Sequence, residues 1–277
     1  MRGLLTITRL TLLEAKRRRI SLAALLGGAA FVLIFAVAVY FIHGEQLDRA
    51  TTFVSVRVQL EALTLAGLYA ANLLVAAAAV LLPVDTLSGE IASGVMQTLA
   101  AKPIPRRAIV LGKALAYWIM LAGYVVLMVG GVALAMGLVV GFWQPHVLTG
   151  MALMLLEATV LLSIVIAGGV RLGTVANGII GFAFYGVAFI GGWIEQIGAA
   201  LGSTDARYIG TLISLASPTD ALWRLATHIL EPPVMSQVML TPFTPISVPS
   251  AAMVWWAAGF AIAALWLAVR RFETRPL

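Results

Sequence analysis

Cysteine is absent from the 277 residues of this chain. Disulfides, thiolate nucleophiles and cysteine-ligated metal sites are therefore excluded, and cysteine usage says nothing about the redox compartment. Charge is also scarce, since only 11% of the residues are charged, whereas an average soluble chain carries about 25%. Hydrophobic residues make up 61% of the sequence. This composition excludes a water-covered globular surface and indicates an integral membrane protein.

The sequence contains long runs of apolar residues. Each reaches the roughly 20 residues that a helix needs to cross about 30 Å of hydrocarbon, and the first is too long for the core of a cleaved secretory signal. The sequence predicts an all-α integral membrane protein, one domain over 1–277, with six transmembrane helices at 20–42, 62–84, 114–139, 147–168, 175–196 and 251–269.

Basic residues are distributed unequally between the two sides of these spans. If the N-terminus lies inside, all but four of the 18 lysines and arginines fall in cytoplasmic segments, and the four are Arg49, Arg57, Arg207 and Arg224. The positive-inside rule then predicts that both termini are cytoplasmic. The excess of arginine over lysine points to a GC-rich bacterial or archaeal genome, and so to a plasma (inner) membrane.

The segment 1–19 is basic and helical in pattern. Three of its basic residues recur at intervals of seven and share one face, beside an apolar stripe of Leu5 and Leu12. The basic residues are Arg2, Arg9, Lys16, Arg17, Arg18 and Arg19. The pattern predicts an elbow helix along the inner membrane surface, which either only anchors the first span against anionic lipid or also contacts a partner protein.

The inner loop 85–107 is predicted to hold one short helix that ends before Pro103. Its apolar residues recur every four positions and form one stripe: Leu87, Ile91, Val95 and Leu99. Because water opposes an uncovered apolar face, we expect this helix to dock into a groove on a soluble partner, with Glu90 as a charge contact. The alternative is a helix that lies on the membrane surface without a partner.

The outer segment 198–250 is rich in proline but contains a second helix signal. Ser217, Pro218 and Asp220 have the spacing of a capping box, so an amphipathic helix is predicted to run to about Leu230. Asp220 and Arg224, four positions apart, are expected on its polar face.

Two polar residues deep inside the predicted spans are candidates for a functional role. Glu157 lies near the middle of the fourth span and Asn72 lies in the second. A carboxylate at that depth is unfavourable by roughly 2.5 to 3.5 kcal/mol on insertion scales, so it should face protein or a water-filled cavity. Both residues are candidates for a translocation path. The alternative for Glu157 is a protonated carboxyl that is bonded to a neighbouring helix.

Taken together, the basic elbow, the loop with Gly89, Glu90 and Gly94, and the stretch with Pro218, Asp220 and Arg224 resemble permease subunits of the ABC-2 class of ABC transporters. The layout is similar to a subgroup that includes the permease of nitrous-oxide-reductase maturation. The resemblance implies a homodimeric exporter that couples to two copies of a separate ABC ATPase, with ATP and Mg bound by that partner, and it leaves room for an extracytoplasmic accessory protein.

The resemblance also implies that the loop residues couple the permease to its ATPase: Leu87, Gly89, Glu90, Ile91, Gly94, Val95 and Leu99. This chain is not expected to be an enzyme or to hold a cofactor, because its only Gly-Lys pair, Gly112-Lys113, lacks the leading glycine of a phosphate-binding loop. Three isolated histidines predict no metal site, and no nucleic-acid partner is expected.

Two other classes of function compete with this interpretation. An ion-driven secondary carrier is disfavoured by the scarcity of charge within the spans. An intramembrane enzyme is disfavoured because His-Glu-x-x-His and Gly-x-Ser-x-Gly elements do not occur.

Overall fold

The computed structural model describes residues 2–48, 53–100, 104–230 and 245–275. These residues form helices and no strand. The helices are α1 (Arg2–Ala15), α2 (Arg19–Asp48), α3 (Phe53–Leu81), α4 (Ser88–Ala92), α5 (Val95–Ala100), α6 (Arg106–Val139), α7 (Val147–Gly169), α8 (Thr174–Leu201), α9 (Thr204–Ala216), α10 (Thr219–Leu230) and α11 (Ala252–Glu273).

Six of these helices, α2, α3, α6, α7, α8 and α11, are long and apolar enough to cross a membrane. The predicted all-α fold with six candidate transmembrane helices is confirmed. The third span differs in its start, because α6 begins at Arg106, eight residues before the predicted boundary. At 1.5 Å per residue its 34 residues extend about 51 Å, well beyond the hydrocarbon thickness.

The core of the bundle lies around α7. This helix packs against α3, α6, α8, α10 and α11, and 67% of its most apolar window is buried. Met154 and Leu161 of α7 and Met128 and Met136 of α6 are fully buried there. In contrast, only 17% of the corresponding window of α2 is buried. The outward apolar side chains of α2 and α11 are therefore the surface that lipid or another subunit would cover.

The helix α1 packs along the first turns of α6. Thr8 Oγ1 donates to the Gly112 carbonyl oxygen at 3.0 Å, and a Cβ atom added to Gly112 would lie 2.9 Å from Ile7. This close approach selects Ile7, Thr8 and Thr11 as the buried face. The predicted apolar stripe lies off this packing face, since Leu5 is 63% exposed, and its contact with the membrane surface stays a prediction.

The helices α8 and α9 form an antiparallel hairpin, which the sequence did not predict. Gly202 adopts a positive φ of 70° at the turn and ends α8. Gly198 then packs against Ala206, and Gly191 packs against Ile213 further down. The helix α9 thus runs back along the second half of α8.

The helix α10 then returns in the opposite direction, between α7 and α8. Gly192 packs against Asp220 near its start, and Gly150 of α7 packs against Leu230 at its end. The segment 204–230 is therefore a re-entrant pair of helices. The helix ends at Leu230, as the sequence predicts, but its polar face is not free, since nearly all of α10 is buried, including its charged residues.

The predicted capping box at the start of α10 is also wrong. The Ser217 hydroxyl donates to the Phe184 carbonyl oxygen at 3.0 Å, and the Asp220 carboxylate accepts from Arg224. Ser217 thus bonds to α8, and Asp220 bonds to the next turn of its own helix, in place of the helix N-terminus. The rest of the predicted outer segment, 231–244, lies outside the described residues.

Candidate functional site

Two short helices, α4 and α5, stand where one coupling helix was predicted. The break follows Ser93 at Gly94, which has a φ of 77°. Glycine populates this left-handed region readily, whereas other residues rarely do. The prediction of one continuous helix from Leu87 to Ala100 is therefore wrong.

The break disperses the predicted apolar stripe. Leu87 is buried, and Ile91 and Leu99 are partly buried against the core of the same chain. Of the stripe only Val95 is exposed, at 45%. Met96, which the period of four did not select, is fully buried. The expectation of a wholly free apolar face is wrong, because the loop packs most of that face against its own protein.

Glu90 points inward and forms an ion pair with Lys113 of α6. The two side chains are 11% and 4% exposed, respectively. Lys113 also lies 3.4 Å from the Thr86 hydroxyl oxygen. The carboxylate thus compensates a buried ammonium group within the chain. Glu90 also lines the space between α1 and α4, and its predicted charge contact with a partner stays a prediction. The pair fastens α4 to α6.

A second polar connection joins the loop to α1 and α8. Arg18 lies 2.6 Å from a Glu14 carboxylate oxygen and 3.6 Å from an Asp85 oxygen, while the other Asp85 oxygen accepts from the Thr174 hydroxyl at 2.8 Å. The Asp85 carboxylate fits against Gly89, where an added Cβ would lie 2.1 Å from it. Gly89 therefore allows α4 to begin directly beside Asp85.

A groove of about 410 Å³ separates α1 from α4 and α5. Ile7, Leu10 and Glu14 line it from α1, and Val95 and Leu99 line it from α5. We call it the coupling groove. It brings together the predicted elbow and the predicted coupling loop, the two segments for which the sequence predicts contact with another protein.

The two polar residues predicted inside the membrane lie together between α3 and α7. The Asn72 side-chain amide donates to a Glu157 carboxyl oxygen at 3.3 Å, and both residues are buried. Among the described residues, neither the second Glu157 oxygen nor the Asn72 oxygen has a hydrogen-bond partner. Their role in translocation stays a prediction.

A third polar cluster surrounds Arg224 of α10. Its guanidinium lies 2.8 Å from Glu195 of α8 and 2.9 Å from Asp220, and it donates to the Ser247 carbonyl oxygen at 3.2 Å. The Ser247 hydroxyl donates to Glu195 at 2.6 Å. Burial raises the pKa of Asp220 to about 6, against the opposing effect of Arg224. One cation thus serves two buried carboxyl groups.

Sequence reasoning found Asp220 and Arg224 but missed Glu195. The acid lies at the end of a predicted span, 29 residues before Arg224, and no local pattern connects the two. Gly210, a small residue, packs directly against Glu195, but a glycine is not a specific signal for a buried acid.

The comparison with known families identifies the architecture. A family model described as "ABC-2 family transporter protein" matches residues 9–277. The chain belongs to the ABC-2 transporter family. A search of curated proteins gives no match. Membership confirms the predicted resemblance and makes this ABC-2 protein a multi-pass permease, whereas the predicted subgroup stays a prediction.

The family assignment bears on the chemistry of the chain. An ABC-2 permease is a membrane translocation component. Among the residues with described positions, no group of three or more His, Cys, Asp or Glu side chains is placed to hold a metal ion. The candidate functional features of this ABC-2 permease are the coupling groove and the buried polar groups around Lys113, Glu157 and Arg224.

Proposed function

We propose that this permease works as a homodimer driven by two copies of a separate ABC ATPase, and that it exports its substrate. The observation that carries the proposal is the coupling groove, in which α1 and the loop helices α4 and α5 meet around the exposed Val95. An ATPase surface seated there would touch both segments at once. ATP and Mg would be bound by that partner and not by this chain.

The contacts around the groove supply a route for motion into the membrane. Glu90 and Lys113 join α4 to α6, which continues into the third span. Ser88 and Asp85 both contact Thr174 at the start of α8, the fifth span. A displacement of α4 by the ATPase would therefore move two membrane helices together, because packed interfaces shift as units.

The orientation follows from the distribution of charge. The positive-inside rule places α1, the loop helices and both termini in the cytoplasm of a bacterial or archaeal cell, with α9 and α10 at the outer side of the plasma membrane. Six spans form half of a pathway, so a second copy would complete it. An extracytoplasmic accessory protein would bind at the outer segment 198–250.

Purification of the tagged chain from its native membrane tests this function. Native mass spectrometry should detect two permeases with two ATPase subunits, and ATP hydrolysis should require the second polypeptide. ATP hydrolysis by the permease alone would contradict the proposal, as would an active transport preparation without an ATPase. The alternative of an ion-driven carrier predicts that transport stops when a protonophore or ionophore removes the ion gradient while ATP is kept constant.

A further inference from the structure

A second groove, of about 380 Å³, lies where α1 and α2 meet α6. Its walls are almost wholly apolar and include Leu12, Leu22, Leu25, Met120 and Tyr124. Lys16 and Ser21 supply its polar side chains. We call it the lipid groove. It is distinct from the coupling groove, which lies on the other side of α1.

The lipid groove lies at the charged end of two neighbouring spans. Gly28 of α2 packs against Tyr124 and Met128, and Val32 packs against Gly131, so α2 and α6 run side by side in the same direction. Lys16 directly follows α1, three residues before Arg19, where α2 and its candidate span begin. The groove is therefore at the depth where headgroups give way to acyl chains.

The groove exists because Gly123 of α6 has no side chain to fill the space between α2 and α6. No atom lies within 4 Å of a Cβ added to Gly123, whereas at Gly28, about one turn further along α2 than Leu25, an added Cβ would lie 2.7 Å from Met128. The two helices thus touch at Gly28 and separate towards Ser21. The open part tapers away from the charged end, as a slot for one flexible apolar chain would.

We propose that the lipid groove binds an anionic phospholipid, with one acyl chain between α2 and α6 and the phosphate group at Lys16. The side chains of Arg17 and Arg19 are exposed beside it and add positive charge. Basic residues at a membrane surface attract anionic lipid more strongly than zwitterionic lipid, because a zwitterionic headgroup carries no net charge. The apolar walls, the positive charge and the depth at the headgroup level together favour an anionic phospholipid.

A second copy of the chain is the competing occupant. A twofold contact at this groove would bring Lys16, Arg17 and Arg19 of both copies towards one another, because such an interface uses the same patch twice. None of the described residues that line the groove is acidic, so like charges would face each other, which opposes the contact. Charge complementarity therefore favours a lipid phosphate.

Native mass spectrometry of the purified permease tests the proposal. Palmitoyl-oleoyl phosphatidylglycerol and the matching phosphatidylcholine are titrated separately into the detergent solution. We expect one phosphatidylglycerol to bind more tightly than phosphatidylcholine. The variant Gly123→Leu should weaken binding of this lipid by about tenfold, since excluding two methylene groups of the chain suffices for that. The variant Gly27→Leu, on exposed α2 surface with nothing within 4 Å, is the matched control.

The charge is tested separately. The variant Lys16→Ala should weaken phosphatidylglycerol binding by about fivefold and leave phosphatidylcholine binding unchanged. Arg9→Ala removes the same charge from exposed surface of α1, away from the groove, and should have little effect. Equal lipid binding by wild type, Gly123→Leu and Lys16→Ala would overturn the proposal. A loss of dimer in Gly123→Leu without a change in lipid binding would assign the groove to a second copy and overturn it too.

Discussion

Lys113 of α6 forms an ion pair with Glu90 of α4, and both side chains are almost completely withdrawn from solvent. In the sequence, these residues are two separate charges in a polar loop region. In the fold they connect the loop to the longest helix of the described chain. The pair fastens the loop to the bundle, as the proposed transmission of force from an ATPase would require.

Removing one partner of this pair should destabilise the permease. Lys113→Met leaves the Glu90 carboxylate buried and unpaired, and the free energy of unfolding should fall by about 3 to 5 kcal/mol. The double variant Lys113→Met/Glu90→Gln should regain most of that loss, since no charge is then buried. Denaturant unfolding of the three proteins in one detergent measures both effects. Equal stability of the single variant and wild type would mean that the pair does not fasten α4.

The Arg224 cluster should make stability depend on pH. Burial raises the pKa of Asp220 to about 6, and one guanidinium shared with Glu195 does not offset that rise. An unfolded aspartate has a pKa of about 3.9. The folded state therefore binds this proton more tightly, and the stability from Asp220 is lost as pH rises from about 4 to about 6.

Asp220→Asn tests the direction of this pH dependence, because asparagine has the shape of aspartate but does not titrate. Between pH 4 and 6, wild type should lose stability relative to this variant. Asp205→Asn, an identical change at an exposed position of α9, is the control and should follow wild type. Melting temperatures at a series of pH values give the comparison. A wild type that gains stability relative to Asp220→Asn over this interval would contradict the direction of the shift.

Glu157 is expected to tolerate loss of its charge better than loss of its polarity. Glu157→Gln keeps an oxygen that can accept from Asn72. Glu157→Leu leaves the buried Asn72 amide unpaired, which should lower stability by about 1 to 3 kcal/mol. Unfolding in detergent measures this difference, and ATP-driven transport separates function from fold. If Glu157→Leu had the stability and the transport activity of wild type, Glu157 would have no functional role.

The spans could be predicted from the sequence because the length of an apolar run is enough to show that a helix can cross the bilayer. The prediction was wrong where contacts between distant residues determine which face of a helix is buried. The period of four selected Val95 as the continuation of Leu87, but the positive φ at Gly94 rotates α5 and buries Met96 instead. Asp220 and Arg224 were placed on a polar surface because Glu195, which compensates the guanidinium, is distant in sequence.

The orientation of the bundle can be tested with single cysteines, since the chain has none of its own. Gln97 on α5 and Thr204 at the start of α9 are both exposed. An impermeant maleimide applied to intact cells should label Thr204→Cys and leave Gln97→Cys unlabelled until the cells are opened. Labelling of Gln97→Cys from outside would contradict the proposed cytoplasmic position of the loop.

Val95→Asp tests most directly whether the coupling groove seats a separate ATPase, as we propose. A carboxylate at this exposed position should leave a folded permease, but buried and unpaired at an interface it opposes docking. Thr274→Asp, at an exposed position just after α11, is the matched control. Recovery of the ATPase with the tagged permease should fall at least tenfold for Val95→Asp and stay unchanged for Thr274→Asp. Undiminished recovery with a properly inserted Val95→Asp would show that this groove does not couple the permease to its ATPase.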